Sequence, residues 1–415
     1  KYFFNSGWNL IGKVIASAVA FFVNIYVVRY LGPEKYGLVS YVISYVGLFS
    51  FLASLGIEAV LYVDLIKQPK RVDELMGTAF FLRVIGAILT TILVLTTFLF
   101  NHNDFYTNFL IFIVSLSFVF QPFAVVNTFF QAKVMSKPVV LLSLLVSFVL
   151  SILKITFIYF NLNLAYFASI FLLESILSAI GYLIIYVKQN LSVFSWKFNK
   201  QTYKEMLSHS WPLIFSAAFA SIYSRVDQVI IKHLLGNASV GFYDIAVRLS
   251  ELWYFFPLII IGSIFPAVLN ISMVSGDRYE DRLSRLYGLA FYLSLLFVLP
   301  MSLFSKFIIQ ITYGQNYILS SGVLSIYVWA GVAVAVSSVF NQALVGEKKT
   351  KISFIINLLG MLINVLLNFI FIPRYGINGA ALATLLSYSS IPFCALLFKS
   401  TRKHLSFFMK GIFLK

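Results

Sequence analysis

Runs of about 20 apolar residues recur along this chain, each long enough at ~1.5 Å rise per residue to cross the hydrocarbon of a bilayer. They fall near 6–30, 37–63, 76–100, 107–131, 138–160, 163–188, 208–234, 239–270, 283–306, 316–345, 351–372 and 377–399. Inside hydrocarbon every backbone N–H and C=O must bond within protein, which leaves helices and closed barrels as spanning structures. The strand-period alternation of a barrel is absent. The expected fold is therefore all-α, a polytopic membrane protein of twelve transmembrane helices. Composition agrees, since 60% of the 415 residues are hydrophobic and 11% are charged, against about 25% charged in a soluble domain.

The net charge of +16 raises the question of a nucleic-acid partner, and its distribution answers against one. With the N-terminus placed in the cytoplasm, 21 of the Lys and Arg fall in the inner loops and tails, and 5 (Arg29, Lys35, Lys232, Lys306, Arg374) in the outer loops. That asymmetry sets topology and puts both termini inside. The lone cysteine, Cys394, excludes an internal disulfide, and no Cys/His cluster has metal spacing. The first residues lead into a full span without a signal-cleavage pattern.

The chain repeats itself. Adding 204 lays Ser6 on Ser210, Ala16 on Ala220, Ser17 on Ser221, Leu31 on Leu235, Gly32 on Gly236 and Gly37 on Gly241. Further on, Gln131-Ala132 with Val134 and Lys137 matches Gln342-Ala343 with Val345 and Lys348 at an offset of 211, and Asn163 and Ala165 match Asn378 and Ala380 at 215. The expected organisation is an N-terminal six-helix lobe at 1–188, a basic cytoplasmic linker at 189–206, a C-terminal six-helix lobe at 207–400 and a cytoplasmic tail at 401–415. Six spans per copy means that both copies enter the membrane in the same direction. A pseudo-two-fold axis along the membrane normal is then expected, with a substrate path between the halves, as in a transporter.

Five basic residues stand within spans: Lys13, Arg83, Lys154, Arg225 and Arg248. Each costs at least ~2.5–3.5 kcal/mol at that depth and is expected to face protein or water. Together they suit a path for an anionic substrate. The alternative is self-neutralisation, because Asp244, Arg248 and Glu251 share one helix face and Lys154 has Glu174 across a short loop. Asp227 lies near the middle of the stretch from Trp211 to Gly236, two residues from Arg225 and so on a different face. In the eleventh span Asn357, Asn364 and Asn368 share a face, and in the twelfth Thr384 follows Ala380 by one turn. Such oxygens are hard ligands suited to a cation such as sodium. They are equally suited to interhelical hydrogen bonds worth ~0.6 kcal/mol on average.

Pro122, Pro257 and Pro266 are expected to bend their spans. The four histidines fall at span ends or in loops, and no phosphate- or dinucleotide-binding glycine motif occurs, so the chain is read as neither an enzyme nor an ATP-driven pump. A membrane-embedded glycosyltransferase would need larger outer loops with acids.

The run Arg29-Tyr30-Leu31-Gly32-Pro33-Glu34-Lys35-Tyr36-Gly37, the Leu55-Gly56-Ile57-Glu58 stretch and the segment Tyr375-Gly376-Ile377-Asn378-Gly379-Ala380-Ala381-Leu382-Ala383-Thr384 give the whole chain a resemblance. It resembles the Wzx-type polysaccharide flippases of the multidrug/oligosaccharidyl-lipid/polysaccharide (MOP) exporter superfamily, which includes the MATE transporters. The resemblance implies a bacterial plasma membrane and an undecaprenyl-pyrophosphate-linked oligosaccharide, flipped from the cytoplasmic to the outer leaflet for O-antigen or capsule. It also implies no cofactor beyond a coupling Na+ or H+, and a polysaccharide polymerase complex as a further partner. Asp227, Asn364, Asn368 and Thr384, with the Ala380 carbonyl, resemble a sodium site of related lipid-precursor flippases. The chain departs from those relatives in carrying only Lys13 where they have several arginines along the first two spans. Its tenth span lacks the acid of many drug/cation antiporters, the runner-up function; a non-transporting scaffold of polysaccharide assembly is the third.

Overall fold

The structure is a computed structural model that describes residues 2–272 and 276–413, without the side chains of 2–11, 13, 272 and 276. Helices account for nearly all of these residues, and no strand occurs among them. Among the described residues, ten helices are long and apolar enough to cross a membrane. Two of those ten contain a glycine break, so the expected count of twelve spans fits.

The breaks have one cause. Tyr2–Gly47 is interrupted at Gly32 (φ 71°, ψ 170°) and Thr350–Phe393 at Gly376 (φ 60°, ψ −141°). Lys200–Leu235 ends on Gly236 (φ 86°, ψ 178°). Backbones in this region are reached essentially by glycine alone. Gly32 and Gly236 are the pair matched at an offset of 204, so the duplication recurs in backbone conformation. Another match needs correcting. The tight turn at Lys133, Val134 and Met135 bonds back to Phe129, Gln131 and Phe130, and Glu347, Lys348 and Lys349 bond back to Ala343, Val345 and Leu344. Val134 (φ 56°) and Lys348 (φ 61°) share the left-handed position. The structural register there is 214, not 211; a Gln-Ala pair on a helix flank is free to drift by a turn, whereas a helix cap is not.

The chain divides into two compact units, Lys1–Arg225 and Val226–Lys415. The division falls inside Lys200–Leu235, because that helix changes partners along its length. Its first part joins the first unit, where a Cβ on Gly56 would stand 2.8 Å from the Leu213 Cβ. The Ser221 and Ser50 hydroxyls lie 3.4 Å apart. The helix also starts earlier than the expected span, within the basic loop, because the Asn199 side chain caps it by accepting from the N–H groups of Gln201 and Thr202.

In the first unit the second span is not one helix. Leu55 (φ 48°) and Gly56 (φ 63°) separate Ser50–Ser54 from Ile57–Lys67. The core beneath holds Leu61, Leu75, Met76, Val126, Phe130 and Tyr186. In the fourth span a 3-10 stretch, Leu116–Ala124, surrounds Pro122.

In the second unit Phe265, Leu283, Tyr287, Val339, Phe340 and Phe407 form the core. Phe407 belongs to Lys403–Phe413, a helix packed on Gly276–Leu303 where a tail was expected. Gly288 and Gly411 let the two backbones touch, since a Cβ on Gly288 would stand 2.4 Å from the Gly411 carbonyl. Glu347 secures this region from outside the spans. Its carboxylate accepts from Lys349 Nζ at 2.6 Å and Tyr279 Oη at 3.2 Å, and lies 3.2 Å from His404 Nε2. Burial alone would raise its pKa, but the bonds from His404 and Lys349 outweigh burial and bring it down to about 2.

Residues turned away from the cores are largely apolar and exposed, among them Phe22, Phe148, Leu296 and Leu366. Such faces suit lipid.

Candidate functional site

Three helices of the second unit bring a polar cluster into the protein interior. Asp227 and Gln228 lie near the end of Lys200–Leu235, both buried, at 4% and 2% exposure. The break at Gly236 starts Asn237–Leu252, which carries Tyr243 back against them. Tyr243 Oη donates to Asp227 Oδ2 at 2.5 Å, and the Gln228 N–H donates to Asp227 Oδ1 at 2.7 Å. Gln228 Nε2 in turn donates to Asp244 Oδ1.

Thr350–Phe393 supplies the rest from both sides of its break. A Cβ on Gly379 would stand 2.2 Å from the Phe371 carbonyl, so only glycine admits this close return of the chain. Asn364, Asn368 and Ala380 are fully buried and Thr384 is 2% exposed. Asn364 Nδ2 donates to Ser387 Oγ at 3.2 Å and reaches Thr384 Oγ1 at 3.5 Å. Asn368 Nδ2 donates to the Asn364 carbonyl and to Asn364 Oδ1. The Tyr243 and Thr384 hydroxyls, 3.5 Å apart, join the two halves of the cluster.

Asp227, Asn364, Asn368, Ala380 and Thr384 are thus brought into one buried region, with Asp227 linked to Thr384 through Tyr243. Asn368 Oδ1 is buried and has no hydrogen-bond partner among the described residues. An acceptor left so costs about 1–3 kcal/mol, and a cation would relieve it. A carboxylate, amide oxygens and hydroxyls in a dry site are the donor set for a hard monovalent ion. The residues fit Na+. Asn357 does not join them, because its amide bonds to Asn341 Oδ1 and to Ser353. Tyr243 was not singled out in the sequence.

The five basic residues do not share one fate. Arg83, with a side chain 4% exposed, donates to Glu58 Oε1 at 2.8 Å, and Glu58 is 57% exposed. The Leu55-Gly56 break starts the helix that presents Glu58, so Arg83 is compensated by a residue 25 positions away. Its Nε is buried without a partner among the described residues. Arg248 donates to Asp244 Oδ2 at 2.6 Å, the self-neutralising row seen in the sequence. Lys154 acts electrostatically on Glu174, as its position across the short loop suggested. Arg225 passes its side chain beside Gly47, with Nε 3.7 Å from the position of a Cβ there. The side chain of Lys13 lies outside the described residues. Arg83, Lys154 and Arg225 are not among the lining residues of two cavities within the first unit, of about 320 and 340 Å³.

A model of the polysaccharide biosynthesis protein family matches residues 4–272, well over half the chain. The chain belongs to the polysaccharide biosynthesis protein family. The MatE family model also matches, over residues 212–370. Among relatives, a capsular polysaccharide biosynthesis protein of Staphylococcus aureus is 21% identical, with 92% of this chain and 95% of that one covered. A probable low-salt glycan biosynthesis flippase of Haloferax volcanii is 25% identical over 52% of this chain and 46% of that one. Among solved structures, an inward-facing multidrug resistance MATE family transporter superposes with a TM-score of 0.78 at 16% identity, over 94% of this chain and 95% of that one. The lipid II flippase MurJ gives 0.71 at 17% identity, over 97% and 90%. The fold of this family member is that of the MOP superfamily, and it is a multi-pass membrane protein.

Proposed function

We propose that the protein is a flippase moving undecaprenyl-pyrophosphate-linked oligosaccharide from the cytoplasmic to the outer leaflet by alternating access, driven by a cation gradient. Family membership and the glycan-related names of its relatives support the substrate class. The observation that carries the transport reading is the buried cluster around Asp227, whose unpartnered Asn368 Oδ1 offers a place for an ion. When bound, Na+ would neutralise the carboxylate and favour the arrangement of helices that assembles the cluster, and differential occupancy of two access states is how a gradient biases a conformational equilibrium. Asp227, Asn364, Asn368 and Thr384 would hold it, with the Ala380 carbonyl. The chain's own contribution is to keep those oxygens together and dry: Tyr243 and Gln228 orient Asp227, and Asn364 orients Asn368.

A drug/cation antiporter is the second reading. It is favoured by one observation, an acid at the wall of a cavity in the first unit, Glu174. The test is reconstitution of the full chain in vesicles holding undecaprenyl-pyrophosphate-linked oligosaccharides on one leaflet. Faster appearance on the opposite leaflet, stimulated by an inward Na+ or H+ gradient, is expected. Vesicles that accumulate tetraphenylphosphonium but move no lipid-linked glycan would overturn the reading in favour of the antiporter.

A further inference from the structure

A cavity of about 320 Å³ opens within the first unit, between the second, fourth and sixth spans. Its wall includes Ser117, Gln121, Glu174, Ser178 and Tyr182. None of these five side chains has a hydrogen-bond partner among the described residues, although each lies in a segment that otherwise reads as membrane-spanning. Neighbouring hydroxyls behave differently: Ser175 donates to the Phe171 carbonyl and Ser50 to the Gly47 carbonyl. Lys154 acts on Glu174 electrostatically, and the other four groups, without a hydrogen bond at membrane depth, are expensive unless water or a ligand meets them. A nine-residue 3-10 stretch, itself longer than such helices usually run, contributes Ser117 and Gln121.

The chemistry of the wall selects among ligands. Its groups without a hydrogen bond are one carboxylate, one amide and three hydroxyls, beside the rings of Phe118, Phe120 and Phe171. Acceptors and donors are thus mixed over a concave surface that also has apolar faces. That combination matches a pyranose, whose hydroxyls both donate and accept and whose ring face is apolar. The volume lies at the low end of small-ligand pockets, about 300–1,000 Å³. It admits a sugar residue and not a whole oligosaccharide. Among the described lining residues Glu174 is the one carboxylate and no Lys, Arg or His is present, so the wall itself offers no cation to hold a diphosphate. A second cavity of about 340 Å³, lined by Ser17, Asn127, Gln131 and Ser143, shares Tyr182 with the first and extends the polar surface.

We propose that the Glu174 cavity binds one sugar residue of the transported glycan, with the Glu174 carboxylate accepting from the sugar's hydroxyls and Gln121, Ser117 and Ser178 completing the contacts. This rests on the flippase reading and adds to it a division of labour: the glycan enters this cavity and its anionic link does not.

The purified full chain can be titrated with methyl glycosides of glucose, galactose, mannose and N-acetylglucosamine, read by saturation-transfer NMR. Inorganic pyrophosphate and tetraphenylphosphonium serve as competitors. At least one glycoside should bind saturably and remain bound in pyrophosphate. Glu174→Gln, which keeps the side chain's size, should weaken it about tenfold or more, as expected for losing a hydrogen bond to a charged group. Ser178→Leu should abolish it by filling the cavity. If either variant melts early, Gln121→Leu replaces it. Glycoside binding unchanged in these variants, no glycoside bound, or Glu174-dependent binding of tetraphenylphosphonium alone would overturn the proposal. Vesicle transport of lipid-linked glycan by the unmodified chain separates the two failures. If transport stands while glycoside binding fails, the subsite is wrong and the flippase reading holds; if transport fails, that reading falls.

Discussion

Asp227 is visible in the sequence because a carboxylate amid apolar residues contrasts with its surroundings. The same holds for Asn364, Asn368 and Thr384, and their helical spacing tells which face they share. Spacing does not tell which neighbour a face meets. Asn357 has the right spacing and bonds elsewhere, to Asn341 and Ser353. Arg83 finds Glu58 across helices, a pairing no periodicity encodes. Tyr243 was missed for want of contrast, since the chain has 24 tyrosines. Its hydroxyl now suggests a measurement on the ion reading. Sodium should raise the melting temperature of the purified protein relative to potassium, and Asp227→Ala should erase the difference. Tyr243→Phe removes a donor from a buried carboxylate, at a cost of about 1–3 kcal/mol. Because a cation would take over part of the lost compensation, that variant should gain more from sodium than the unmodified chain does. An equal gain in both would place the ion away from Asp227.

Helices were easier to read than their interruptions. Apolar length marks a span, so the bounds 138–160 and 163–188 lie within a residue of Lys137–Tyr159 and Leu164–Val187. The break in the second span was not legible, because Leu55-Gly56 sits inside a largely apolar run and a glycine in a helix gives no sign of its φ. At Gly56 two demands coincide, a left-handed backbone and contact with Leu213. Gly56→Ala should therefore lower stability by about 1–3 kcal/mol, read as a fall in melting temperature; no change would mean that the helix Lys200–Leu235 packs there more loosely than its contacts indicate. The Glu347 link between span ends predicts a pH effect. Its pKa falls from 4.5 when unfolded to about 2 in the fold. Its stabilisation is thus complete above pH 4.5 and lost as the pH falls through 2. Glu347→Gln should lower the melting temperature at pH 7, and the gap to the unmodified protein should narrow as the pH is taken from 5 towards 2.5.

Across the entire chain the expectation that rests on the most residues is orientation, because it depends on the sum of many loop charges and not on any single contact. The excess of basic residues in alternate loops survives the corrections to helix ends. Lys197 remains in the connection before Lys200–Leu235, and Lys348 and Lys349 remain in the turn after Ala330–Gly346. Docking of Lys403–Phe413 on Gly276–Leu303 is consistent with the same side, since Lys403 Nζ lies 3.3 Å from Glu280 at the start of that helix. The repeat imposes a further condition. If both copies enter the membrane in one direction, the turn at Val134 and its counterpart at Lys348 must face the same compartment. Labelling decides this on a Cys394→Ala background, which leaves no native thiol. Ser192→Cys, Ser136→Cys and Thr350→Cys should each react with a membrane-impermeant maleimide only when the cytoplasmic face is opened. Asn103→Cys, in the loop before Phe105–Ser115, should react in intact cells. Labelling of Ser136→Cys and Thr350→Cys from opposite faces would mean that the copies are inverted, and with them would fall the parallel duplication on which the two-lobe organisation rests.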